Sequence, residues 1–131
     1  MSAFARLILH VNRKKWWHVP PVDPLAYGKR GKFLASSFKE AEFYGRPIET
    51  PERVRIARPV VGDEQKIAKV LGIPPQHEGM QLEEMAEHDA LWRNAAVAKG
   101  FDSIVLMTHK AYERFKTDGT IPRNIELNVL L

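Results

Sequence analysis

A strand that runs directly into a capped helix is predicted for residues 31–44, which read GKFLASSFKEAEFY. The apolar start of this segment suits a buried strand, and Ser36 or Ser37 is a favourable N-cap for a helix. Glu40 follows Ser37 at the spacing of a capping box. Because the aromatic ring of Tyr44 falls on the inward face of this helix, it should point to a core or to a cleft.

The composition is that of one globular domain covering residues 1–131. Hydrophobic residues make up 44% of the chain and charged residues 27%, which argues against wholesale disorder. The chain has no cysteine, so neither a disulfide framework nor a thiolate metal site is expected. The first residues lack the apolar core of a signal peptide, and we therefore expect a cytoplasmic protein with no membrane partner.

Alternating and continuous apolar runs predict the other elements of the fold. Strands are expected at residues 6–11, 31–35, 52–58, 102–107 and 124–131. Helical stripes are expected at residues 64–71, where Asp63 can act as the N-cap, and at residues 80–99. Residues 12–30 lack a regular period and predict a long loop. Residues between the fourth strand and Asp118-Gly119 are interpreted as a polar segment that leads to a tight turn.

Two polar residues interrupt the predicted strands. His10 lies in the first apolar run, where a histidine is ordinarily a hydrogen-bonded core residue. Glu126 alternates with Ile125 and Leu127, so its side chain points away from their face and can be solvent-exposed or directed into a site. The residues alone leave both alternatives open.

The block Gly31-Lys-Phe-Leu-Ala-Ser-Ser, with Tyr44 nine residues after Ala35, resembles the Gly-x-Tyr-Phe-Ala-x-Ser…Ala-x-Tyr block of a known enzyme superfamily, which has the same spacing between its Ala and its Tyr. That superfamily is the ADP-ribosyltransferases of the poly-ADP-ribose polymerase and diphtheria-toxin type. The order of His10, Tyr44 and Glu126 also matches the His-Tyr-Glu set of the family. The resemblance implies an α+β fold in which two small packed β-sheets with flanking helices enclose a nucleotide cleft.

The resemblance also implies that NAD is the substrate and that the protein either ADP-ribosylates a protein or nucleic acid or hydrolyses NAD. Glu126 would be the catalytic carboxylate, and His10 would contact the ribose. Aromatic rings would stack on the nicotinamide, a backbone group would hold its carboxamide, and basic side chains would neutralise the pyrophosphate. The residues implied for these three roles are Phe33 and Tyr44 for stacking, Val11 for the carboxamide, and Arg13, Lys14 and Lys29 for the pyrophosphate.

Several positions depart from the family pattern. Val11 stands in place of Gly, Phe33 in place of Tyr, and Ala41 in place of the Ser that usually binds the carboxamide. Asn124 occupies the position two residues before Glu126, where the arginine-modifying branch has Glu or Gln. Modification of arginine is therefore disfavoured.

Two other functions remain as alternatives, and a metal site is disfavoured. The net charge is +4, and basic residues of the early tryptophan-containing loop would let a non-catalytic protein of the same fold bind an acidic protein or nucleic acid. An RNA 2′-phosphotransferase relative would need more arginines and histidines at a phosphate site than Arg13 and His10 supply. A zinc site is disfavoured because the histidines His77 and His88 are not spaced as ligands on one helix face. The sequence does not indicate an oligomeric state.

Overall fold

The computed structural model describes residues 1–20, 30–44, 46–48 and 50–130. Within these residues, five helices and five strands follow one another along the chain. The helices are α1 (Ala3–Arg13), α2 (Phe38–Tyr44), α3 (Glu64–Leu71), α4 (Leu82–Ala98) and α5 (His109–Asp118). The strands are β1 (Trp17–His18), β2 (Lys32–Ala35), β3 (Pro59–Gly62), β4 (Ser103–Leu106) and β5 (Glu126–Val129).

The strands of the described residues form one mixed sheet in the order β1-β2-β5-β4-β3, and the protein is therefore α+β. Only β3 and β4 are parallel among these neighbours, and the other pairs are antiparallel. The expected division into two packed sheets is wrong. The reason is that β5 pairs on both sides, so that Leu127 lies between Leu34 of β2 and Val105 of β4 in one continuous row.

The first expected strand, residues 6–11, is instead part of α1. The Ser2 hydroxyl accepts the Ala5 N–H at 3.0 Å and caps this helix. Leu7 and Val11 are four residues apart and form its buried stripe. A short apolar run is compatible with a buried strand and with a buried helix, and here the N-cap at Ser2 favours the helix.

The third expected strand, residues 52–58, does not join the sheet apart from an isolated bridge between Trp16 and Glu52. Side chains take the place of a strand partner here. The Asn12 amide donates to the Ile56 carbonyl at 2.9 Å and accepts the Ile56 N–H at 2.7 Å. The strand that does pair with β4 begins at Pro59, and the first residue of a strand is a position where proline is tolerated.

The remaining expectations about strands and helices agree better with the structure, with two omissions. These are helix α5 and the short strand β1, which lies within residues 12–30, where a long loop is expected. The strands expected at 31–35, 102–107 and 124–131 are confirmed as β2, β4 and β5, and the two long helical stripes are confirmed as α3 and α4. The capped helix after β2 is confirmed as α2, with Ser37 as its cap. The segment interpreted as polar is helix α5, which Thr108 caps and which Gly119 ends at φ 76°.

Hydrophobic clusters cover the two faces of the sheet. On one face, Leu127 and Val105 pack against Leu7 and Val11 of α1 and against Phe115 of α5. On the other face, residues of β3 and β4 pack with α3 and α4 around the fully buried Trp92. Because side chains alternate along β5, Glu126 and Asn128 belong to this second face, opposite α1.

Within the described part of the chain, no helix combines the length and the apolar character that crossing a bilayer requires.

Candidate functional site

A cavity of about 570 Å³ opens at the edge of the sheet where β3 and β4 end and β5 begins. Strand direction explains its position. The parallel strands β3 and β4 have their carboxyl ends at the same edge, and β5, being antiparallel to β4, has its first residue there. Ala35, Glu126 and Leu106 consequently lie side by side at this edge. The helices α2, α3 and α5 begin directly after β2, β3 and β4, at the same edge.

The lining combines apolar strand residues with acidic and polar groups from the strand ends and the helix starts. Its members are Phe33, Ala35, Glu40, Asp63, Glu64, Gln65, Leu106, Met107, Thr108, His109, Asn124, Ile125 and Glu126. The structure therefore brings two predicted site residues, Phe33 and Glu126, into one cavity. Phe33 is almost fully buried, and Glu126 is half-buried.

A reciprocal pair of hydrogen bonds fixes the wall that carries these two residues. The Ser36 hydroxyl accepts the Ile125 N–H at 2.9 Å and donates to the Ile125 carbonyl at 3.2 Å. Ser36 follows β2, and Ile125 precedes Glu126, so the bonds join the strand-to-helix corner to the start of β5. Both partners are buried, which makes this contact stronger than a similar one in water.

An aspartate–histidine pair forms another part of the cavity wall. Asp63 Oδ2 and His109 Nδ1 are 2.7 Å apart. The second carboxylate oxygen, Asp63 Oδ1, accepts the Lys66 N–H at 2.8 Å and caps α3. Burial by itself raises the pKa of Asp63, but the hydrogen bonds from His109 and Lys66 outweigh it and hold the pKa below its usual value.

A buried arginine holds the third acidic group of the wall, Glu64. The Arg30 guanidinium donates to both oxygens of Glu64, at 3.1 and 2.9 Å, and its Nε donates to Asp89 at 2.9 Å. The same guanidinium lies 3.7 Å from the centroid of the Trp92 ring. Arg30 thus ties the chain just before β2 to α3 and α4, and its charge offsets that of Glu64.

Four predicted site residues of the amino-terminal segment lie elsewhere. Val11 is fully buried in the core beneath α1. His10, Arg13 and Lys14 line a separate groove of about 420 Å³ together with Arg6. Burial, and then the charge of Lys14, lower the pKa of His10. The expected convergence of His10 and Glu126 in one cleft is wrong, because residues 6–11 form a helix on the opposite face of the sheet.

The two remaining predicted site residues, Lys29 and Tyr44, are not fully described by the structure. Lys29 lies outside the described residues. Tyr44 is the last residue of α2, and only its backbone is described.

His109 is not among the residues that the sequence singles out, and Asp63 is expected only to cap a helix. For Asp63 the signal is present in the sequence, since it stands directly before the apolar stripe of a helix, whereas His109 begins a helix whose apolar stripe is weak. The second histidine near the site, His18 of β1, was also not singled out. Its Nδ1 lies 2.9 Å from the Phe33 carbonyl oxygen, a contact that supports the pairing of β1 with β2.

Among the residues that the structure describes, no group of three or more histidine or acidic side chains is arranged to hold a metal ion. The chain matches no protein-family model, no curated protein and no solved structure.

Proposed function

We propose that the cavity binds the nicotinamide–riboside end of NAD and that the protein transfers ADP-ribose to a macromolecule or to water. The observation that carries this proposal is the shared cavity wall of Phe33 and Glu126, held by the Ser36–Ile125 hydrogen bonds. These are the aromatic and the acidic residue that the family resemblance assigns to nicotinamide and ribose. The cavity volume also falls within the range of small-molecule sites, roughly 300–1,000 Å³.

The charge of the lining supports this orientation of the nucleotide. The carboxylates of Glu40, Asp63, Glu64 and Glu126 all border the cavity. Negative charge favours the cationic nicotinamide ring and disfavours the pyrophosphate, so the pyrophosphate should lie toward the solvent. Arg30 pairs with Glu64, and His109 contacts Asp63. Glu126 shares the cavity wall with Phe33 and is our candidate for the reacting ribose.

The chemistry requires a carboxylate at this place. Cleavage of the nicotinamide–ribose bond develops oxocarbenium character at the ribose, and a nearby carboxylate stabilises that positive charge. Glu126 fills this role in the proposal, with Phe33 as an apolar wall for the nicotinamide ring. The nicotinamide leaves as a neutral molecule because the electron pair of the broken bond returns to its ring nitrogen.

The test is the release of nicotinamide from NAD by the pure protein, with and without cell extract as a source of acceptors. Glu126→Gln should lower the rate by about two orders of magnitude or more, since the variant keeps the shape but loses the charge. Glu83→Gln is the matched control, because Glu83 is an exposed carboxylate of α4 outside the cavity lining. No release with any extract would refute the proposal.

A second candidate function is non-catalytic binding of nucleic acid or of an acidic protein, and the groove on α1 favours it. Arg6, Arg13 and Lys14 surround His10 there, away from the acidic cavity. Trp16 is fully buried and is not available to a partner, so the binding surface would be the helix rather than the tryptophan-containing loop. Binding to single-stranded oligonucleotides should then weaken steeply with added salt, and a salt-insensitive affinity would exclude this function.

A further inference from the structure

The pair of Asp63 and His109 arises from the topology of the sheet edge. Asp63 follows β3 and caps α3, and His109 follows β4 as the first residue of α5. Because β3 and β4 are parallel neighbours, the starts of the two helices lie side by side. The backbone bond from Met107 N–H to the Gly62 carbonyl, at 3.0 Å, continues the strand pairing up to this point.

The two partners differ in exposure in a way that suits proton transfer. The Asp63 side chain is 10% exposed, whereas that of His109 is 78% exposed. The helix cap needs only one oxygen of Asp63, and the other is committed to His109 Nδ1. With Nδ1 donating to the carboxylate, Nε2 is the ring nitrogen left to accept a proton.

Several charged groups line the same cavity as the imidazole of His109. Besides Asp63, the cavity wall contributes Glu64 from α3, Glu126 from β5 and Glu40 from α2. Lys116 of α5 lies close enough to lower the pKa of Asp63, though it does so less than the hydrogen bonds of that carboxylate. The cavity wall around this pair is therefore mainly acidic.

We propose that His109 is the general base that deprotonates the acceptor in the transfer reaction and that Asp63 is its positioning residue. This inference rests on the proposed function. The acceptor, water or a hydroxyl-bearing or other nucleophilic group, forms a bond to ribose C1′ as the bond from C1′ to the nicotinamide nitrogen breaks. The acceptor proton moves to His109 Nε2, Asp63 stabilises the resulting imidazolium, and the proton then passes to solvent.

The experiment compares four proteins in one nicotinamide-release assay across pH. These are the wild type, His109→Ala, Asp63→Asn and the control His77→Ala, which removes an exposed histidine outside this cavity. His109→Ala should lose roughly a hundredfold or more in rate, in line with the usual contribution of a general base. Added imidazole should restore part of that rate, which a purely structural role of His109 would not allow.

Asp63→Asn tests the positioning role. The amide oxygen of asparagine can still cap α3, but its amide nitrogen, which then faces His109, cannot accept the imidazole N–H. The kcat of Asp63→Asn should fall while its KM for NAD stays unchanged, because Asp63 positions the base for the transfer step. A circular-dichroism melt checks that both variants fold.

The outcomes separate the two proposals. If the wild type releases nicotinamide, and His109→Ala and Asp63→Asn keep its rate and pH profile, the assignment of His109 is overturned while the proposed function stands. If His109→Ala is slow but imidazole does not restore it, the general-base role is likewise overturned. If the wild type itself releases no nicotinamide, both proposals fail together.

Discussion

Ser36 and Ile125 are joined by two hydrogen bonds, one in each direction, although they lie 89 residues apart in the chain. The contact holds the end of β2 against the start of β5 at the edge where the cavity opens. Backbone groups at strand ends otherwise need water or a neighbouring strand as partners. Here one buried hydroxyl satisfies both the N–H and the carbonyl of Ile125, and so fixes the residue that precedes Glu126.

Ser36→Ala should therefore destabilise the protein by about 1–3 kcal/mol, because it leaves buried backbone groups of Ile125 without a partner. The measurement is the free energy of unfolding in urea. Thr117→Ala is the control, since Thr117 is an exposed residue of α5 and its change should stay within about 0.5 kcal/mol. Equal stability of Ser36→Ala and wild type would show that the hydroxyl does not fix this edge.

The buried guanidinium of Arg30 is the second target. Arg30→Met should destabilise the protein by about 3 kcal/mol, because it removes the buried guanidinium that pairs with both Glu64 and Asp89. This value is at the lower end of the range for breaking a buried ion pair, because both carboxylates keep some solvent access. The measurement is again unfolding in urea, with Arg114→Met as the control at an exposed position of α5.

Restoring the charge balance should recover part of that loss. In Arg30→Met combined with Glu64→Gln, the uncompensated carboxylate at the cavity rim is removed, so the double variant should be more stable than Arg30→Met alone. A double variant no more stable than Arg30→Met would mean that the uncompensated charge of Glu64 does not cause the loss, and that the packing of Arg30 on Trp92 contributes more.

Local signals were sufficient for the elements whose caps and apolar stripes agree. The α2 cap at Ser37, the α3 cap at Asp63 and the alternation along β5 each specify a structure within a few residues, and all three are confirmed. Residues 6–11 carry an apolar run without a clear period, and the decisive cap, Ser2, lies outside that run. The missed helix α5 has only Phe115 as a buried residue, so its apolar stripe is weak in the sequence.

The site itself depends on pairing between distant strands, which no local pattern encodes. The sequence indicates that Glu126 and Phe33 are on strands, but their common cavity follows from β2 and β4 flanking β5. The pairing of Asp63 with His109 depends likewise on β3 and β4 being parallel neighbours. The prediction for His10 is wrong because it too depends on contacts between distant residues. Leu7 and Val11 pack α1 on the face of the sheet opposite Glu126, and His10 lies on that helix.

Asp102 provides a pH-dependent test of how residues 57 and 58 are held against the sheet. Its Oδ2 accepts the Ala57 and Arg58 N–H groups at 2.7 and 3.1 Å, and its Oδ1 accepts the Ser103 hydroxyl at 2.8 Å. Burial raises the pKa of this carboxyl, but these hydrogen bonds together outweigh burial and hold its pKa below the ordinary value of 3.8.

The sign of the effect on stability follows from that shift. A carboxyl whose pKa is lower in the folded state stabilises the fold fully above its unfolded pKa, near 3.8, and loses this stabilisation as the pH falls through the folded value. Asp102→Asn should thus cost about 1.5–3 kcal/mol at pH 7, where the charged acceptor is present. The difference in unfolding free energy between wild type and variant should shrink below pH 3.8, measured in urea at successive pH values.

Glu87→Gln, at an exposed position of α4, is the control at neutral pH and should stay within about 0.5 kcal/mol of wild type. A difference for Asp102→Asn that stays constant down to acid pH would show that charge contributes nothing to this contact.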